Sequence, residues 1–524
     1  MDKNIHPVRN SKVNKDTDKS QLEAIDQPPT ERKAGFSNRV NRRNFLKLAG
    51  ATAAGAVFSG CEGEMSSSFS EGGSSADNKP NFIIIFCDDL GYGDIGCFGS
   101  KKNRTPNIDR MADEGMRFTS FYATACCCTP SRASLMTGCY PRRVNMHVSD
   151  TGFAVLLAVS RKGLNPDEIT IAELLKPQGY ATACIGKWHL GDQPEFLPTR
   201  QGLDYYYGIP YSNNMGKKPN FQSWPPLPLM QNEKVIEAPA DQNTLTKRYT
   251  EETIKFITAN KDKPFFIYLP HTMPHEPLHA SEQFRGKSAN GLYSDVVEEI
   301  DWSTGQILAT LKKLDIDDRT LVVFTSDNGP WPPGSPGPLK GTKGTTWEGG
   351  MREPCVMRWP GKIPAGKTCD ELASILDLMP TLAQLAGTRA PTDRIIDGKN
   401  IWPLMSGKKG AKSPHEAFYY YQMDQLQAVR SGKWKLHLPL KLRRRLLERD
   451  ISESVLQLYD LEADIGETTN VADKHPDVVK CLLALAEKAR EDLGDVDREG
   501  NQRPAGWVVT PKPLLLSSKS QDSY

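Results

Sequence analysis

Three apolar runs hand the chain over directly to oxygen and nitrogen donors, and this constrains the fold more than any other feature. Asn81–Cys87 is followed by Asp88-Asp89, Phe265–Leu269 by Pro270-His271, and Thr320–Thr325 by Ser326-Asp327-Asn328. A short continuous apolar run bounded by proline or charge reads as a strand buried on both faces, as in a parallel sheet. Tyr180–Ile185 is a further short strand, leading into Gly186-Lys187-Trp188-His189. Helical stretches lie between these runs. They are Pro106–Gly115 with Thr105 as cap, Ala133–Met136, Ile171–Lys176 stopped by Pro177 and Gly179, Thr250–Ala259, Val296–Leu314 and Ile375–Gly387. Strands alternating with helices predict an α/β fold, a large mixed, mostly parallel sheet sandwiched by helices. Ligands of such sheets bind beyond the carboxyl ends of the strands, which is where the donors fall.

The pattern changes near residue 415. Ala417–Tyr421, Gln427–Arg430, Trp434–Leu438 and Gln457–Asp460 read as short strands, and Lys474–Asp492 as a helix. This divides the chain into a larger α/β domain, 81–415, and a smaller antiparallel α+β domain and tail, 416–524. The tail from Gly500, rich in Pro and Ser, is expected to be irregular. Formal net charge is only +2 and no long block of one sign occurs, so nothing points to nucleic acid as a partner. The 11 cysteines include no CxxC pair, which leaves zinc-ribbon and thioredoxin readings unsupported.

The first 80 residues are of another kind. Residues 1–40 are polar and charged and are expected to be disordered. Asn41-Arg42-Arg43-Asn44-Phe45-Leu46-Lys47 and the apolar run to Phe58 resemble a twin-arginine export signal. Phe58-Ser59-Gly60-Cys61 resembles a bacterial lipoprotein cleavage site, so 41–61 is read as signal and Cys61 as the lipidated residue. The Ser/Gly-rich stretch 62–80 is then a flexible tether. An exported bacterial protein is expected, periplasmic or at the cell surface and held to a membrane by a lipid anchor.

Cys126-Cys127-Cys128-Thr129-Pro130-Ser131-Arg132 continues through a small-apolar run to Thr137-Gly138. This Cys-x-Pro-Ser-Arg core resembles the signature of the formylglycine-dependent sulfatases, an arylsulfatase-like branch of the alkaline-phosphatase-like superfamily. The resemblance covers roughly residues 81–475, with further matches at Asp377-Leu378-Met379-Pro380-Thr381 and from Leu458 to Asn470. It implies that a formylglycine-generating enzyme oxidises Cys128 to an aldehyde. It implies one divalent cation, Ca²⁺ with Mg²⁺ as the alternative, held by Asp88, Asp89, Asp327, Asn328 and the oxygen at position 128. Hard oxygen donors suit either ion.

The same resemblance assigns Arg132 to orienting the aldehyde hydrate, Lys187 and Lys343 to holding sulfate, and His189 to serving as base. It gives His275 the contact with sulfate and the leaving group. Tyr207-Gly208-Ile209-Pro210-Tyr211-Ser212 resembles an arylsulfatase segment whose Ser, here Ser212, bonds near the nucleophile. On an extended segment, Lys187 and His189 share one face. One departure stands out: many relatives carry a basic residue after Thr-Gly, where this chain has Cys139.

His275-Glu276-Pro277-Leu278-His279 also satisfies the HExxH pattern of zinc proteases. That motif needs both imidazoles on one helical face, and Pro274 and Pro277 oppose a helix there. His271 and His279 are read as loop residues. The implied function is hydrolysis of sulfate monoesters, aryl or carbohydrate, with a sulfated small molecule or glycan as substrate. Two rivals remain: a phosphomonoester or phosphonate hydrolase of the same superfamily, and a non-catalytic carbohydrate-binding lipoprotein.

Overall fold

The computed structural model describes residues 79–218, 224–440 and 455–516. The extension 1–40, the signal 41–61 and all but the last two residues of the tether 62–80 lie outside the described residues.

In chain order the strands begin with β1 (Asn81–Cys87), β2 (Met116–Tyr122), β3 (Lys162–Gly163), β4 (Ala181–Ile185), β5 (Tyr205–Gly208) and β6 (Leu229–Gln231). They continue with β7 (Lys234–Glu237), β8 (Phe265–Pro270), β9 (Thr320–Ser326), β10 (Arg352–Arg358), β11 (Lys367–Cys369) and β12 (Ala373–Ser374). Eleven strands form one sheet in the order β11-β2-β10-β9-β1-β8-β4-β5-β6-β7, with β12 beside β2. The run from β9 to β5 is parallel throughout. On its flanks β10 pairs antiparallel with β9 and β2, and β6 with β5 and β7. The sheet is mixed and mostly parallel, as the alternation of strands and helices implied.

Successive residues of β1 point to opposite faces, and both faces are covered. Phe82, Ile84 and Phe86 join a core with Leu135, Met136, Ile171 and Leu382. Ile83, Ile85 and Cys87 join one with Met111, Tyr249, Val296 and Ile300. The helices Cys128–Thr137, Ile171–Leu175 and Leu378–Leu385 therefore cover one face, and Pro106–Asp113, Leu245–Ala259 and Leu292–Lys313 the other. Each fully buried Ile or Phe contributes roughly 1.5–3 kcal/mol.

The remaining strands are β13 (Phe418–Gln422), β14 (Gln425–Ser431), β15 (Trp434–His437), β16 (Gln457–Asp460) and β17 (Gly506–Trp507). The first four form an antiparallel sheet in sequence order. The helix Pro476–Leu493 packs Leu482, Leu485, Ala486 and Ala489 against it, in a core that also takes Tyr122 from the main sheet and Met351 from the short helix Glu348–Met351. The described part of the tail, to residue 516, is irregular apart from β17, which pairs with β3.

Several elements depart from expectation. The helix expected from Ala133 begins at Cys128, because Pro130 falls in its first turn, where the missing N–H costs nothing. Thr105 precedes Pro106–Asp113 but its side chain does not cap the helix: its Oγ1 accepts from the Gly96 N–H at 2.7 Å and donates to Asp109 at 3.1 Å. β10, a strand not expected from the sequence, accommodates Pro354. The register shifts between Glu353 and Cys355, so the proline sits at an irregularity where no ladder N–H is required.

Candidate active site

The carboxyl ends of the parallel strands deliver the donors. Asp88 and Asp89 follow β1, Asp327 and Asn328 follow β9, Lys187 and His189 follow β4, His275 follows β8, and Ser212 follows β5. The strand ends crowd one another. Gly186, at φ 136°, lies so close to β8 that a Cβ would stand 1.9 Å from the Pro270 carbonyl oxygen. Only glycine fits there. Asp89 takes φ 64°, a left-handed conformation that Asp tolerates, with its N–H donated to Asp327 Oδ1 at 3.2 Å.

Cys128 is the first residue of its ten-residue helix, at the positive end of the macrodipole. Its Sγ, a carboxylate oxygen each of Asp88 and Asp89, and a ring nitrogen of His275 all lie within 4.8 Å of one another, and all four residues are buried. Lys343 Nζ stands 2.7 Å and 2.8 Å from the two Asp89 oxygens and 3.7 Å from the sulfur. Lys187 Nζ meets Asp88 Oδ2 at 2.5 Å and Ser212 Oγ at 3.3 Å. Arg132 is fully buried and donates Nε and Nη2 to Asp327 Oδ2 at 3.1 Å and 2.7 Å, and Nη1 to the Lys187 carbonyl at 3.1 Å. Its donors thus hold Asp327 and the Lys187 backbone rather than Cys128.

The two histidines have defined tautomers, because a carbonyl oxygen only accepts. His189 Nε2 stands 2.9 Å from the Leu156 carbonyl, so Nε2 carries the proton and the buried Nδ1, without a partner, carries the lone pair. His275 Nδ1 faces the Glu276 carbonyl at 2.6 Å, leaving Nε2 as the lone-pair nitrogen, 3.8 Å from Asp89 Oδ2. Burial, reinforced by Lys343, pushes His275 down to about 4. Burial and Lys187 lower His189 as well. Both rings are neutral at neutral pH. His189 lies at φ 58°, a left-handed conformation, so the fully extended geometry expected for Lys187 and His189 is not kept at the second residue.

The charge pattern has one imbalance. Burial opposes ionisation of Asp88, but Lys187, His275, Arg132 and Lys343 together hold its carboxyl well below the usual range. Burial and then the Asp88 charge push Asp327 up to about 7. Two oxygen atoms are left over: Asp88 Oδ1 and Asn328 Oδ1 are buried and accept no hydrogen bond. Asn328 directs Nδ2 to Asp89 Oδ1 at 2.8 Å, which fixes its amide. Unsatisfied oxygens among crowded carboxylates are what a hard dication would satisfy. The residues present therefore fit the expected cation.

Some participants carried no readable signal. The Leu156 carbonyl that sets the His189 tautomer belongs to an irregular loop. Glu353, inside β10, is fully buried with both carboxylate oxygens unpartnered, and burial, with Asp327 and Asp89 nearby, raises its pKa far above the usual range. Cys139, where the resemblance led to expecting a basic residue, meets the guanidinium of Arg503 at 3.3 Å, so a tail residue brings a cation to the end of the Cys128 helix. The segment after β8 is not helical, and His279 bonds to Asn243 rather than pairing with His275, in keeping with rejection of the zinc-protease reading.

Comparison with known proteins agrees with this geometry. Residues 80–388 match the family model described as Sulfatase, and residues 342–492 match that described as N-sulphoglucosamine sulphohydrolase, C-terminal. Human steryl-sulfatase is 39% identical over 438 residues, covering 69% of this chain and 75% of that protein. Human arylsulfatase A is 38% identical over 451 residues, covering 78% and 87%. Among solved structures, Ps i-CgsB in complex with k-i-k-neocarrahexaose superposes with a TM-score of 0.68 at 32% identity, covering 78% of this chain and 92% of that one. The chain belongs to the sulfatase family, of the alkaline-phosphatase-like superfamily, and is a sulfuric ester hydrolase.

Proposed function

We propose that this enzyme hydrolyses sulfate monoesters of glycans through a formylglycine made from Cys128 and one divalent cation, calcium or magnesium. The observation that carries the reading is the convergence of Cys128, Asp88, Asp89 and His275 at one point, with Lys343 reaching both the carboxylate and the sulfur. As a plain thiol Cys128 is a poor nucleophile: burial pushes it up to about 11 despite Lys187 and Lys343, so it stays protonated at neutral pH. The aldehyde hydrate supplies what a thiol cannot, two hydroxyls on one carbon, one to attack sulfur and one whose deprotonation releases sulfate. Asp88, Asp89, Asp327 and Asn328 would hold the cation, which when bound would supply positive charge against the sulfate and the attacking hydroxyl.

The protein's own groups do the rest. Lys187 and Lys343 are drawn toward Asp88 and Asp89 and can turn to the anionic ester. Arg132 fixes Asp327 and adds positive field. The His189 Nδ1 lone pair is available to take a proton from the side chain at position 128. His275 Nε2 starts unprotonated beside the carboxylates, and an arriving sulfate adds negative charge that favours its protonation toward the leaving oxygen. Ser212 steadies Lys187.

A glycan is favoured because the solved relative at 32% identity holds a neocarrahexaose. The modification requires a formylglycine-generating enzyme as partner. Export through the 41–61 signal and a lipid anchor at Cys61 belong to the same proposal, and fractionation that left full-length protein in the cytosol would remove them. Turnover of nitrophenyl sulfate against nitrophenyl phosphate tests the reaction, with sulfate expected to be strongly preferred. Intact mass of the peptide holding Cys128 tests the nucleophile: an unmodified thiol in active enzyme would refute the mechanism, and in inactive protein it would favour a carbohydrate binder.

A further inference from the structure

A cleft of about 390 Å³ opens beside the site, lined by Asn213, Asn214, Lys217, Lys218, Gln242 and Pro277 among others. This is within the roughly 300–1,000 Å³ range of small-ligand sites. It is joined to the catalytic groups by short links. Asn213 follows Ser212, and its Nδ2 is shared by the His275 and Pro277 carbonyls at 3.4 Å and 3.1 Å and by Gln242 Oε1 at 3.1 Å. With Nδ2 fixed by acceptors, Oδ1 must be the remaining atom, and it has no partner; nor has Asn214 Oδ1. Asn213 itself is only 2% exposed. The cleft thus presents a wall of proline and leucine and a rim of two exposed ammonium groups, while the unpartnered Asn213 and Asn214 oxygens are buried behind its lining. Lys217 and Lys218 make no ion pair among the described residues, although Lys217 is anchored by its backbone N–H to the Pro225 carbonyl at 3.0 Å.

An apolar wall for the C–H face of a ring and cations at the edge are together the complement of a charged sugar. We propose that this cleft binds the glycosyl residue next to the sulfated one, and that this neighbour carries its own negative charge, as a uronate or as a second sulfate ester. The proposal rests on the sulfatase reading and narrows it to anionic oligosaccharides. Beyond Gln242 a further cleft of about 820 Å³ carries Lys247, Arg285 and Lys287 against Asp241 and Glu282, so a longer chain would continue over a surface with net positive charge.

The test compares nitrophenyl sulfate with three monosulfated or disulfated disaccharides. Their neighbouring residues are neutral, a uronate, or a sulfated sugar. Wild-type enzyme should prefer a charged neighbour to the neutral one, and the arm that wins names the source of the charge. In the double variant Lys217→Glu, Lys218→Glu, the ratio of kcat/KM for the preferred disaccharide to that for nitrophenyl sulfate should fall about tenfold, through KM. Lys217→Arg, Lys218→Arg should restore most of it. Enzyme that cleaves nitrophenyl sulfate but does not distinguish the neighbours, or a ratio unmoved by charge reversal, would overturn the subsite and leave the sulfatase reading intact. Enzyme that cleaves none of the four would overturn both.

Discussion

Among the described residues, the buried charges under the C-terminal sheet and those at the ends of β1 and β9 are built to different standards. Under the C-terminal sheet, Glu348 is fully enclosed and both of its oxygens are used. Oε1 accepts from Tyr420 OH at 3.0 Å and Lys435 Nζ at 3.0 Å, Oε2 from Tyr122 OH at 2.5 Å and Arg352 Nη1 at 3.3 Å. Lys435 also donates to the Thr346 carbonyl at 2.9 Å and pairs with Glu467 at 2.9 Å, and Glu467 takes His437 and the Glu348 N–H. Burial works against ionisation of Glu348, yet Lys435, Arg352 and Arg430 hold its carboxyl well below the usual range. At the ends of β1 and β9, by contrast, two oxygens are orphaned and one of three carboxylates is pushed up to about 7. A buried network with every atom spoken for is a structural joint. One with acceptors left over is a binding site whose ligand completes it.

The largest difference should appear on substitution of the nucleophile. Cys128→Ser changes one atom and should leave the thermal midpoint almost unmoved, while turnover of nitrophenyl sulfate falls by about 10⁴-fold or more. Retained turnover would mean that position 128 is structural. Glu348→Gln should do the reverse. It breaks a satisfied buried pair and should cost about 3–5 kcal/mol in urea unfolding. A cost below about 1 kcal/mol would show that the network is not the joint it resembles.

The smallest effect concerns calcium and pH. Asp327 has a folded pKa raised above its unfolded value. In cation-free protein its favourable contribution is therefore full only below the ordinary carboxylate range and is lost as pH rises toward 7. A bound cation requires that proton to leave, so its apparent affinity should climb over the same window. The gap in unfolding free energy between calcium-loaded and chelator-treated enzyme, read from urea titrations, should widen from pH 5 to pH 8, reaching about 2.7 kcal/mol at a hundredfold excess over Kd. A gap independent of pH would exclude Asp327 from the ligand set.

The loop that carries Lys343 connects the two clusters. Gly344 donates to the Cys126 carbonyl at 2.8 Å and accepts from Gln422 of β13 at 2.6 Å, and Thr346 bonds to Gln427 of β14 at 2.9 Å. The C-terminal sheet therefore braces a lysine of the site, a relation that no spacing in the sequence suggests.

The apolar runs β1, β8 and β9 were legible because burial on both faces leaves a composition that few other environments tolerate, and because site donors follow β1 and β9 within two residues and β8 within five. The Cys128 motif was legible because its chemistry demands a fixed string. The sequence could not show that β10 survives Pro354, since the irregularity that accommodates it exists only against β2. Nor could it show which nitrogen of His189 and His275 bears the proton, because that is decided by the carbonyl each ring meets. The cation at Cys139 comes from Arg503, 364 positions away, and the orphaned oxygens of Asp88 and Asn328 are defined only by what surrounds them. The chain alone determined which residue types stand at the strand ends, a matter of local order. Tertiary structure decided their partners, tautomers and unmet bonds, because those depend on groups brought together only when the sheet closes.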